Sequence, residues 1–244
     1  MSFEIEKKFL IGDFDTTLSD LKKDFGDCII KNKSSFWFAS YSGDEYILKK
    51  ESSIFLKKDV EMIRYITEFD IPIQDFSFLR LRIMNDNNYI ITFKLKNIVD
   101  GIEKNIEYEY ELSKDVLFRI ITFLKEKNFI FYYNIKKSYE FISYDNSNDN
   151  DYDKKYPLKI ELSSINNLKN NYLEVELIGE DSEKLVKELE KRLVKFSFYD
   201  LKEESRNYVE LFLSENRENL KFMKVSHYSK DGYKELNTFL NINI

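Results

Sequence analysis

The sequence predicts an α+β fold in which antiparallel strands carry one apolar and one charged face, with helices packed on the apolar side. Two observations lead there. Apolar residues recur with period two in a series of segments, and between these lie stretches with apolar residues three and four apart. A third observation narrows the chemistry: the 244 residues include one His, one Cys and 6 Gly. A Cys/His zinc site and an internal disulfide framework are therefore excluded, and no glycine spacing matches a phosphate-cradling loop. A Ser-His-Asp or Cys-His catalyst would have to use His227, in a polar C-terminal stretch.

In chain order, Phe3, Ile5 and Phe9 share one face of the first strand and Glu4, Glu6 and Lys8 the other. Thr16 or Thr17 is expected to cap a short helix through Leu18, Leu21 and Phe25, ended by Gly26. An aromatic strand is expected near 35–41. Residues 47–77 read as an inserted segment whose KKDVEMIRYITEF stretch suits a helix. Leu79, Leu81 and Ile83 then oppose Arg80 and Arg82, and Tyr89, Ile91, Phe93 and Leu95 oppose Thr92, Lys94 and Lys96. Ile102, Ile106, Tyr108, Tyr110 and Leu112 oppose Glu103, Asn105, Glu107, Glu109 and Glu111. Ser113 is placed to cap a helix with the stripe Val116, Leu117, Ile120, Ile121 and Leu124. Phe131, Tyr133, Ile135, Tyr139 and Phe141 oppose Asn134, Lys136, Ser138 and Glu140. Two more strands set Leu158, Ile160 and Leu162 against Lys159, Glu161 and Ser163, and Leu173, Val175 and Leu177 against Tyr172, Glu174 and Glu176. Asp181 or Ser182 opens a helix with Leu185, Val186, Leu189 and Leu193 on one face, and a last helix is expected near 202–214. The polar stretch 143–156 reads as a mobile loop. The organisation expected is one domain over 1–215 with a C-terminal extension over 216–244.

Charge is plentiful but sign-mixed: 38 basic against 44 acidic side chains, a net charge of −6 and a pI near 5.2. That balance gives no support to general nucleic-acid binding. No apolar run approaches the ~20 residues of a membrane span, and MSFEIEKKF, with early acids and no apolar core, is not a signal peptide. With the lone Cys28, which suits a reducing compartment, this makes the cytoplasm the expected location.

The charged strand faces carry Lys8, Arg80, Arg82, Lys94, Lys96, Lys136 and Lys159 together with Glu4, Glu6, Glu107, Glu109, Glu111, Glu161, Glu174 and Glu176. Alternation alone is satisfied by a one-sided sheet with a solvated face. A sheet closed on itself, with these residues lining a polar lumen, satisfies it too, although alternation by itself favours the solvated sheet. In a closed lumen, Lys and Arg would bind a polyanion, and glutamate oxygens would hold a hard cation such as Mg²⁺ or Mn²⁺. Those are the parts of metal-assisted phosphoryl transfer, which needs no His, Cys or glycine loop.

At these positions the chain resembles the CYTH, or triphosphate tunnel metalloenzyme, superfamily. Glu4-Ile5-Glu6-Lys7-Lys8 is similar to its N-terminal ExExK motif, and Arg80-Leu81-Arg82 to its paired-arginine strand. Thr92-Phe93-Lys94 resembles its lysine strand, Glu107-Tyr108-Glu109 its ExE strand, and Tyr172-Leu173-Glu174-Val175-Glu176 its late F/Y-x-E-x-E strand. Ser205–Leu211 is similar to its closing SYxxL helix. The resemblance implies a closed eight-stranded antiparallel β-barrel, a tunnel with a polar lumen and helices outside. It implies phosphate contacts from Lys8, Arg80, Arg82 and Lys94, with Lys136 and Lys159 in the phase of further basic residues. It also implies Mg²⁺ or Mn²⁺ held by Glu4, Glu6, Glu174 and Glu176, assisted by Glu107 and Glu109. Glu6, Lys8 and Arg82 are the residues expected to matter most for catalysis.

The function implied is a divalent-metal-dependent triphosphatase acting on tripolyphosphate, thiamine triphosphate or a nucleoside triphosphate. A nucleic-acid partner is expected only as an RNA 5′-triphosphate end. Two alternatives stay open: a class IV adenylyl cyclase, and a non-catalytic binder of nucleotides or polyphosphate. The chain departs from the family pattern at Asn105 and Ser138, where arginine is usual, and at Ser163, where aspartate is usual.

Overall fold

The computed structural model describes residues 3–39, 56–84, 88–99, 102–127, 130–143, 156–166, 168–197, 199, 201–206, 208, 211 and 215. Most of the 143–156 loop, the 216–244 extension and His227 lie outside the described residues. So do residues 47–55 of the inserted segment and the side chains of Phe131, Tyr133, Asn134 and Ile135.

The elements run β1 (Phe3–Ile11), α1 (Phe14–Phe25), β2 (Ile29–Ala39), α2 (Lys57–Thr67), β3 (Phe78–Met84), β4 (Asn88–Val99) and β5 (Ile102–Leu112). They continue as α3 (Lys114–Glu126), β6 (Ile130–Ser143), β7 (Leu158–Ile165), β8 (Asn171–Gly179), α4 (Ser182–Leu193), a 3₁₀ turn (Val194–Phe196) and β9 (Leu201–Glu203). The hydrogen-bonded strand order is β5-β4-β3-β2-β6-β7-β8-β1, with β9 outside β1, and β5 pairs back onto β1. Eight strands thus close on themselves as an antiparallel β-barrel of the α+β class, as expected.

Local chemistry explains most boundaries. Asp13 caps α1, its Oδ1 accepting from the Thr16 N–H at 2.6 Å, and Gly26 ends the helix at φ 80. The cap is therefore Asp13 rather than Thr16 or Thr17; the Thr17 hydroxyl instead donates to the Asp13 carbonyl at 2.6 Å. Ser113 and Asp181 cap α3 and α4 through Oγ and Oδ1, which accept from the N–H groups of Val116 and Lys184. The expected helix near 202–214 begins later than the pattern suggested. Leu201–Glu203 pair antiparallel with Phe9–Ile11 as β9, and of that stretch Tyr208 and Leu211 are described as helical.

The chain divides into two compact units. One comprises Met1–Lys33, Lys96–Glu107 and Ile135–Asn207; the other comprises Ser34–Leu95, Tyr108–Asn134 and Tyr208–Ile244. Each has its own apolar core. In the first, Ile5, Phe141, Ile160, Leu173 and Val175 from the strands pack with Leu21, Leu185 and Leu189 from helices α1 and α4. In the second, Leu79, Ile91 and Phe93 pack with Val60 and Ile63 of α2 and Ile120 and Leu124 of α3. Tyr108 and Tyr110 lie against the second core and Tyr139 against the first.

The opposite strand faces decide between the two readings of the alternation. A solvated face would leave its charged side chains exposed. Here Lys8 is 5% exposed, Glu161 4% and Glu176 7% in the first unit, and Arg80 and Lys94 are each 7% exposed in the second. Both faces of these strands are buried, one by apolar packing and the other by charge.

Truncating a fully buried core aromatic in either unit, Phe93→Ala or Phe141→Ala, is expected to cost about 3–5 kcal/mol, read from the shift of the denaturant-unfolding midpoint.

Candidate functional site

Strand register builds the charged face of the first unit. Across β6, β7, β8 and β1 the directly paired residues are Glu140, Glu161, Glu174 and Lys8. The neighbouring row is Lys159, Glu176 and Glu6, continuing to Glu103 on β5, and beyond it Glu4 faces Asn105. Three carboxylates directly across adjacent strands repel one another, so the fold sets lysines between them. The Lys33 Nζ lies 2.6 Å from Glu140 and 2.9 Å from Glu161. Lys136 lies 2.5 Å from Glu161 and 2.6 Å from Glu174, and Lys8 is 3.8 Å from Glu174. Lys159 bridges to Glu176 at 2.5 Å.

The pKa shifts follow from burial set against these neighbours. Burial pushes Lys136 down, but Glu161 and Glu174 outweigh it and hold the ammonium above the usual lysine range. Burial raises Glu161, and Lys136, Lys33 and Lys159 overcome it and keep the carboxyl well below the usual range. Burial raises Glu174 too, and Lys136 and Lys8 bring it below its ordinary value. Glu176 goes the other way: burial, helped by the nearby Glu4, pushes it up to about 7 despite the Lys159 contact.

Glu4, Glu6 and Glu176 form a distinct group. Each offers a carboxylate oxygen, and these oxygens lie within 4.8 Å of one another. All donors are hard anionic oxygens, a set that fits Mg²⁺ or Mn²⁺ and not a thiolate- or imidazole-seeking metal. Among the described residues this is the one such group. Glu174 lies one register step away, tied to lysines, and Glu107 and Glu109 are not members.

The second unit has its own charged cluster. The Arg80 Nη2 donates to the Thr92 hydroxyl and to Glu109 Oε1, at 3.3 and 3.2 Å, and the Thr92 hydroxyl donates to the same oxygen at 2.8 Å. Lys94 is buried and Arg82 half-buried on the charged phases of β4 and β3. Glu109, one of the residues expected to help with metal, is the carboxylate that accepts from Arg80 and Thr92. Lysines of the opposite strand phase make other contacts: Lys7 bridges Glu203 at 2.9 Å, while Lys104 and Lys137 sit over the rings of Phe3 and Tyr139.

Two lysines of the charged face, Lys31 and Lys33, escape the sequence pattern. Lys33 and Glu140 complete the lysine–glutamate matrix, and Lys31 bonds Glu140 at 2.5 Å. Lys96 pairs with Glu103 at 2.7 Å and donates to the Ser205 carbonyl, as Lys8 does to that of Arg206 at 2.9 Å. The start of Ser205–Leu211 thus contributes backbone acceptors.

No family model matches the sequence, and no curated protein does. Solved structures do. The PH1819 protein of Pyrococcus horikoshii OT3 aligns at TM-score 0.59 and 17% identity, over 87% of this chain and 99% of that one. The PH1012 protein of the same organism aligns at 0.55 and 18% identity, over 85% and 98%. HpAC1 from Hippeastrum, named as an adenylyl cyclase with a dominant triphosphatase activity, aligns at 0.52 and 16% identity, over 88% and 96%. At these identities the likeness is one of fold.

Two outcomes are expected. Lys33→Met, which removes a buried cation from Glu140 and Glu161, should lower stability by about 3–5 kcal/mol in denaturant titrations, and adding Glu161→Gln should recover part of that loss. Mn²⁺ affinity measured by calorimetry should fall as pH drops through about 7, because Glu176 then holds a proton that the cation must displace.

Proposed function

We propose that this chain, which has the closed-barrel fold of the CYTH, or triphosphate tunnel metalloenzyme, superfamily, is a divalent-metal-dependent triphosphatase. The observation that carries this reading is the carboxylate trio of half-buried Glu4 and buried Glu6 and Glu176, on the same face as Lys8, Lys136 and Lys159. Hard oxygen donors beside ammonium groups suit a polyphosphate carrying a divalent cation. The HpAC1 likeness in fold is compatible with it.

In this reading the trio holds Mg²⁺ or Mn²⁺, which when bound supplies neutralisation of charge on the phosphate oxygens. Lys8, Lys136 and Lys159 exchange part of their carboxylate contacts for phosphate oxygens. Arg80, Arg82 and Lys94 take phosphate contacts by their motif positions, Arg82 with the bidentate geometry a guanidinium allows. Glu6, as one of the three carboxylates, would help hold the cation in place. Water attacks the terminal phosphorus in line with the bridging oxygen; that P–O bond breaks, its electron pair leaves with the shortened phosphate chain, and the water's proton is released as orthophosphate forms.

The test is a panel of tripolyphosphate, thiamine triphosphate and nucleoside triphosphates with Mg²⁺ or Mn²⁺, analysed for orthophosphate, pyrophosphate and cyclic nucleotide. Orthophosphate with multiple turnover is expected. Cyclic AMP with pyrophosphate from ATP would establish a cyclase instead, and tight binding without turnover a binding protein. Glu6→Gln should lower kcat by about 10²-fold or more, the scale of losing one preorganised electrostatic contact. Arg82→Ala should raise KM more than it lowers kcat.

A further inference from the structure

We infer that Asn105 supplies a fourth oxygen ligand to the cation held by Glu4, Glu6 and Glu176. The inference rests on the reading of that trio as a cation site and extends its ligand set to a neutral donor.

Asn105 lies on β5 directly across from Glu4 on β1, and its side chain is fully buried. Its Nδ2 donates to Glu4 Oε1 at 3.2 Å. That bond fixes the amide orientation, because the reversed amide would press its oxygen against a carboxylate oxygen. The Oδ1 is therefore the remaining group, and it has no hydrogen-bond partner among the described residues. A buried amide oxygen without a partner costs about 1–3 kcal/mol. The two polar atoms of an amide are about 2.2 Å apart, so Oδ1 lies within about 5.4 Å of Glu4 Oε1. An ionised carboxylate accepts and cannot donate, so a neighbouring Glu side chain could satisfy it only by taking up a proton. A cation can. A carbonyl oxygen also adds a ligand without a fourth negative charge in a site where three carboxylate oxygens already lie within 4.8 Å of one another. Three carboxylates and one amide oxygen form an all-oxygen set for a hard divalent ion.

The experiment uses the full chain with asparagine labelled by ¹³C at the side-chain carbonyl, titrated with Mn²⁺ and read by electron paramagnetic resonance. The expected result is a ¹³C hyperfine coupling on bound Mn²⁺ that disappears in Asn105→Ala, with Mn²⁺ affinity in that variant lower by about tenfold or more. The wild-type spectrum decides even if the variant fails to fold. Bound Mn²⁺ that is lost in Glu4→Gln but shows no such coupling overturns the Asn105 assignment and leaves the trio standing. Absence of Mn²⁺ binding by the wild type, or undiminished binding by Glu4→Gln, overturns the cation site and this inference with it.

Discussion

Charge taken out of water has to meet opposite charge within hydrogen-bond reach, and that requirement governs the charged strand faces of this protein. An ammonium or carboxylate moved from water to a protein interior loses several kcal/mol of solvation even after relaxation. In the first unit, register puts Glu140, Glu161 and Glu174 in line across three adjacent strands. That row is tolerable only because Lys33 and Lys136 each reach two of its members and Lys8 stands at its end.

The same constraint shapes what the face can do. Lysines held between carboxylates have already lost much of their rotamer freedom, so an incoming anion meets donors whose ordering is complete. Where the lysines are dense, the carboxylates are held ionised; where carboxylates gather, at Glu4, Glu6 and Glu176, one of them is held close to protonation. The trio's Glu176 and the lysine-bound Glu174 are two residues apart on β8, and Lys159 joins the trio to the lysines by pairing with Glu176.

Period-two alternation made the strands legible, and β5 falls on the residues the pattern marked, Ile102–Leu112. ExExK and the late Glu174–Glu176 pair located three trio members without coordinates, because strand phase alone puts each on the polar face. What escaped the pattern did so for physical reasons. Lys33 sits in IIKNKSSFWFA, where Ser34 and Ser35 are both buried and Ile29 and Ile30 are exposed, so no apolar alternation marks its phase. Asp13 as a cap was hidden by two adjacent threonines of similar capping strength. The β9 strand is three residues long and exists through pairing with Phe9–Ile11, a tertiary fact with no local signature. Asn105 read as a loss of charge; its contact with Glu4 depends on register between strands far apart in sequence.

The most direct test of the account is ³¹P relaxation of a slowly hydrolysed triphosphate analogue bound to the protein with Mn²⁺. The account predicts strong paramagnetic enhancement on the phosphorus nuclei in the wild type. In Glu6→Gln that enhancement should vanish while the analogue still binds. Enhancement that persists in Glu6→Gln, or a wild-type protein that binds neither analogue nor metal, would contradict it.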